Sequence, residues 1–80
     1  MIYIATFFSH FGATRFKRYC DSLGIPAQTM PVPRGLSSSC GTCTKFETQQ
    51  LPDYGKHTDE LEKIAAVTDN GFETVYESEV

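Results

Sequence analysis

No stretch of the chain approaches the roughly 18 apolar residues of a membrane-spanning helix, so the sequence does not read as a membrane protein. Basic residues are also few. Seven Lys and Arg against ten Asp and Glu leave a net charge of −3, and neutralising phosphates needs the opposite balance, so nucleic acid is excluded as an expected partner. There is no Gly-rich phosphate loop, no Ser/His/Asp set with a supporting pattern and no paired-carboxylate motif. Those absences remove the common nucleotide-dependent and hydrolytic classes, and no cofactor is expected. The first residues, Met1 to Phe8, lack a basic lead and a small-residue cleavage site. They read as a strand rather than a signal peptide, and a cytoplasmic protein is expected. Internal repeats and low-complexity tails are missing as well.

What is present is one domain, residues 1–80, near the small end of what folds without disulfides or metal. Hydrophobic residues make up 40% of it, enough to argue against disorder. Three cysteines is an odd count that fits no closed disulfide framework. Two of them form Cys40-Gly41-Thr42-Cys43, a Cys-x-x-Cys, which in a reducing compartment points to redox or metal chemistry before a structural staple.

Along the chain, residues 1–8 form an apolar strand. Ser9 then offers an N-cap to a helix that buries Phe16, Tyr19, Cys20 and Leu23 at i, i+3, i+4 and i+7, with Gly24 as its stop. Ile25 to Met30 suits an edge strand bounded by prolines. The segment Pro31 to Ser39 is dense in breakers and reads as a loop. From Gly41 to Phe46 a strand is expected, with Thr42, Thr44 and Phe46 on one face and Cys43 and Lys45 on the other. Glu47 to Lys56 reads as a surface connection. Thr58 or Asp59 caps an expected second helix on which Leu61, Ile64, Ala65 and Thr68 share a face, and Asn70-Gly71 ends it. Phe72 to Glu77 is the last strand. The order βαββαβ predicts an α+β, ferredoxin-like fold, a four-stranded antiparallel sheet with two helices on one face. Strand 1 is apolar on both faces, so the open face is expected to be partly covered, by a second copy in a homo-oligomer or by a partner.

That topology makes strands 1 and 3 neighbours and sets Cys40 close to Phe8, Ser9 and His10 at the start of the first helix. A helix N-terminus favours thiolate over thiol, and only the thiolate is nucleophilic. His10 and Arg34 could reinforce the effect, Gly41 permits close backbone approach, and Ser37, Ser38 and Ser39 offer hydroxyls to a charged sulfur. The bland alternative is a solvated serine-rich loop. Cys43 is either a resolving thiol or a strand residue. In an extended strand its Cα would lie ~10 Å from that of Cys40, beyond the ~7 Å that a disulfide spans. Cys40, Cys43 and His10 make a weaker metal set, one ligand short of four. Cys20 reads as inert core, and His57 as solvated.

Thr6-Phe7 with Ser9-His10, Gly24-Ile25-Pro26, Met30-Pro31-Val32-Pro33-Arg34, Ser37-Ser38-Ser39-Cys40-Gly41 and Lys45-Phe46 together resemble the DUF3343 family of selenium/sulfur carrier-like proteins. The resemblance covers nearly the whole chain and is most specific from Pro31 to Gly41. It implies a carrier more than a turnover enzyme. Cys40 would accept sulfane sulfur or selenium as a persulfide or selenopersulfide, from a donor such as a cysteine desulfurase, and pass it to an acceptor protein. The chain departs from the family where Cys43 replaces an apolar or small residue, and where Glu47 to Lys56 runs long. The alternatives are a thiol–disulfide or metal-binding module using Cys40 and Cys43, and a plain interaction module.

Overall fold

The computed structural model of the chain describes residues 1–79. It contains strands β1 (Ile2–Phe7), β2 (Ala27–Pro31), β3 (Thr42–Glu47), β4 (Leu61–Thr68) and β5 (Gly71–Glu77), and one α-helix, α1 (His10–Ser22). A single 3₁₀ turn, Gly55–His57, interrupts the β3–β4 connection. The strands form one sheet in the order β2-β3-β1-β4-β5, antiparallel at every pairing.

The α+β class and the β1–β3 neighbourhood match the expectation, but the ferredoxin-like βαββαβ arrangement does not. The segment expected to be a second helix is strand β4, paired with β1 from Tyr3↔Ala66 to Phe7↔Leu61. Leu61, Ile64 and Ala66 face the core below α1. The register shifts between Thr6 and Phe7, which leaves Glu62 as an extra residue in β4. That bulge turns a period of two into an i, i+3 step, the spacing of a helix. Asn70-Gly71 is the tip of the β4–β5 hairpin, not a helix stop. Thr68 pairs with Gly71, whose φ of +123° is one that side chains rarely adopt.

Helix α1 begins as expected. Ser9 is extended, and its hydroxyl accepts the Gly12 N–H at 3.2 Å. The helix buries Ala13, Phe16 and Cys20 against Tyr3, Ala5 and Phe7 of β1, Phe46 of β3 and Leu61 and Ile64 of β4. Phe16 is the hub of this core, with ring centroids of Phe7, Phe46 and Tyr19 at 5.5, 5.3 and 6.0 Å. Thr44 is the buried polar residue here, and its hydroxyl donates to the Ala13 carbonyl at 2.8 Å. The helix is thereby tied to β3 with no lost hydrogen bond.

His57 is half-buried rather than fully solvated. Its ring stands edge-on to Phe16 at 5.3 Å and lies 4.7 Å from Tyr19, which pins the β3–β4 connection to α1. Burial lowers its pKa below the ordinary 6.5, with Glu60 opposing and Arg15 adding to the shift. The unfolded chain therefore takes up this proton more readily than the folded one. The stability due to neutral His57 is full above 6.5 and is lost as pH falls through 6.5 toward the lower folded value. Melting curves from about pH 7 to about pH 5 should show a falling midpoint. His57→Phe keeps the ring packing and should flatten that slope; an unchanged slope would assign it to other groups.

The second face of the sheet is covered by the chain itself. Ile4, Thr6, Cys43 and Ala65 are all buried there, on the side away from α1. The loop 32–41 leaves β2, reaches Phe72 of β5 at Gly35, and returns to Phe7 and Glu62 before entering β3. This strap accounts for the two-sided apolar pattern of β1 within the chain itself. Among the described residues, Thr6 Oγ1 beneath it is the one buried side-chain polar atom without a hydrogen bond. Leaving a buried hydroxyl unpaired costs on the order of 1–3 kcal/mol, so Thr6→Val should raise stability by about 1 kcal/mol in urea unfolding. A loss of stability would mean that the hydroxyl does have a partner. Among the described residues no helix is long and apolar enough to cross a membrane.

Candidate functional site

The strap delivers Cys40 to the sheet edge where α1 begins. Val32 N–H donates to the Gly41 carbonyl at 3.1 Å, closing the two ends of the loop on each other. The Ser38 hydroxyl donates to the Phe7 carbonyl at 3.3 Å, two residues before the N-cap of α1. Ser39 gives its N–H and its hydroxyl to the two carboxylate oxygens of Glu62, at 3.1 and 2.8 Å. Gly41 turns the chain sharply into β3 at φ +76°, a conformation that disfavours any side chain. Cys40 and Gly41 therefore belong to the loop, while Cys43 is a strand residue.

Cys40 is part-exposed, and its thiol donates to the Thr42 carbonyl at 3.4 Å. The Ser38 hydroxyl lies 4.0 Å from the sulfur. His10, the first residue of α1, sets Nδ1 3.1 Å from the Thr42 hydroxyl, so the head of β3 is linked to the start of the helix. A shallow hollow of about 230 Å³ lies beside this link, lined by His10, Thr29, Met30, Pro31, Gly41 and Thr42.

The remaining candidates divide. Ser9 is engaged as the helix cap, and Ser39 is engaged with Glu62. Ser37 and Arg34 are exposed, and Arg34 lies next to Gly35, at the strap's reach over β5. Cys43 is fully buried, and its thiol donates to the Pro31 carbonyl at 3.8 Å. Burial, then the neighbouring Cys40, pushes its pKa up to about 11. Cys20 is likewise buried and raised to about 11, by burial and by Asp21. All three thiols are free. Among the described residues no three His, Cys, Asp or Glu side chains gather in a metal-holding group, so Cys40, Cys43 and His10 do not form one.

Two residues that shape the site were not singled out from sequence. Thr42 contacts both His10 and Cys40, and Glu62 anchors Ser39. Nothing local marks Glu62, because it becomes the strap's anchor only when β4 bulges beside β1. Thr42 sits inside the Cys-x-x-Cys, where attention falls on the sulfurs.

No curated protein and no solved structure matches the chain. The family model described as "Putative Se/S carrier protein-like" matches residues 2–76. With nearly its whole length inside that match, the chain belongs to this Se/S carrier protein-like family.

Proposed function

We propose that the protein carries sulfur or selenium on Cys40. One observation carries the reading: of three thiols, only Cys40 reaches solvent, and it does so on a loop fastened at both ends. In the loading step the Cys40 thiolate attacks the terminal sulfur of a donor persulfide. The bond to the outer sulfur moves to Cys40, and the donor leaves as its thiolate. In delivery, an acceptor nucleophile attacks the same outer sulfur and Cys40 leaves as thiolate. Neither step needs an outside oxidant or reductant. Ser38 stands where its hydroxyl can turn to the sulfur, while Thr42 and His10 hold the backbone beneath it.

Cys43 stays outside this cycle. A thiol that titrates near 11 and has no solvent contact is a poor attacker at neutral pH. Its burial weighs against a dithiol switch and favours an external acceptor. The test is to incubate the protein with a cysteine desulfurase and cysteine, then weigh it intact. One added sulfur on the chain supports the reading, and an unchanged mass overturns it.

A further inference from the structure

The outward stripe of α1 beside the site carries groups that the carrier chemistry does not use. His10, Phe11, Thr14, Arg15 and Arg18 line a hollow of about 350 Å³, open along the helix. Phe11 is 68% exposed, the most exposed large hydrophobic side chain among the described residues. The Arg15 guanidinium lies over its ring at 5.2 Å and is held from the other side by Glu60 at 3.1 Å. Arg18, about two helical turns beyond Phe11, has no ion-pair partner among the described residues. Helix α1 carries three of the chain's seven basic residues, and its one acid, Asp21, is paired with Lys17. With Glu60 and Asp21 counted against Arg15 and Lys17, the ridge keeps one uncompensated positive charge, Arg18, beside its aromatic centre, on a chain of net charge −3.

We propose that this ridge docks a protein partner through a segment that presents an apolar side chain flanked by carboxylates. The apolar group would rest on Phe11 and the Arg15 stem, with the carboxylates at Arg18 and Arg15. Exposed aromatic and Arg side chains held in place are the types that dominate binding energy at protein interfaces. A hollow lined by one convex helix cannot enclose a small ligand as binding pockets do, which favours a macromolecular occupant. Charge complementarity sets the sign of that occupant. The His10–Thr42 contact places the ridge beside the Cys40 loop, so a docked donor or acceptor would bring its sulfur to Cys40. The identity of the partner as donor or acceptor rests on the carrier reading; the docking surface does not.

The test is an amide NMR titration of the full chain with a synthetic Glu-Glu-Leu-Glu-Glu peptide. Shifts should concentrate at Phe11, Thr14, Arg15 and Arg18, weaken with salt, and fall about tenfold or more in affinity in Phe11→Ala and Arg18→Glu. The variants' otherwise unchanged spectra would show that they fold. Four results overturn the proposal: no shifts up to millimolar peptide, equal shifts with Lys-Lys-Leu-Lys-Lys, equal shifts with free glutamate, or the same amides shifting on simple concentration of the protein. The last would make a second copy the occupant. If the peptide binds but Cys40 takes up no sulfur, the carrier reading falls and the docking surface stands. Sulfur uptake without peptide binding gives the reverse.

Discussion

Cys40→Ser is expected to keep an unshifted intact mass after incubation with a cysteine desulfurase and cysteine, while the parent chain and Cys43→Ala each gain sulfur. The expectation follows from access and ionisation together. Cys20 and Cys43 have no exposed surface, and both titrate near 11. At neutral pH such a thiol is ionised to roughly one part in ten thousand, so even a collision with donor would seldom meet a nucleophile. Removing Cys40 therefore removes the single thiol that a bulky donor persulfide can reach. Equal sulfur on Cys40→Ser and parent would refute its role. Loss of loading in Cys43→Ala, with the fold intact, would restore Cys43 as a working partner.

The largest loss of stability is expected at Phe16. Its ring is fully buried and touches the rings of Phe7, Phe46, Tyr19 and His57, which belong to two strands, the helix and the β3–β4 connection. Phe→Ala in such a setting costs roughly 3–5 kcal/mol. A domain of this size has a total of about 4–12 kcal/mol to lose. Phe16→Ala should thus remove a large share of that total, about 3–5 kcal/mol in urea unfolding followed by near-UV circular dichroism. Phe16→Leu, which retains most of the volume, should fold with a loss of about 1.5–3 kcal/mol in urea. A cooperative Phe16→Ala variant with near-parental stability would show that α1 contributes little to the core.

Much of the fold was legible in short-range pattern. The Ser9 cap, the Phe16-Tyr19-Cys20 spacing and the alternation Thr42-Thr44-Phe46 against Cys43-Lys45 each appear where the residues require them. The approach of the serine loop to the end of β1 was legible too, because it needs only β1 beside β3. What misled was β4. Leu61, Ile64 and Ala65 are all buried, but on two faces of a bulged strand covered by α1 on one side and the strap on the other. A strand buried on both faces loses its alternation, and the bulge supplies a false helical step. The serine run misled more mildly. Ser38 and Ser39 spend their hydrogen bonds on Phe7 and Glu62, holding the loop more than they solvate the sulfur. The two-sided β1 is met by a distant piece of the same chain, a contact no local window can reveal.

The strap has one more consequence for a carrier. Many group carriers work as a swinging arm, a tethered reactive end that travels between stations. Here the Cys40 sulfur sits on the strap that roofs half the sheet, so moving it outward would bare Ile4, Ala65 and Cys43 to water. Burial of Ile4 alone is worth roughly 1.5–3 kcal/mol, a steep toll for every delivery. On the proposed reading Cys40 is a fixed pedestal, and donor and acceptor must each come to it.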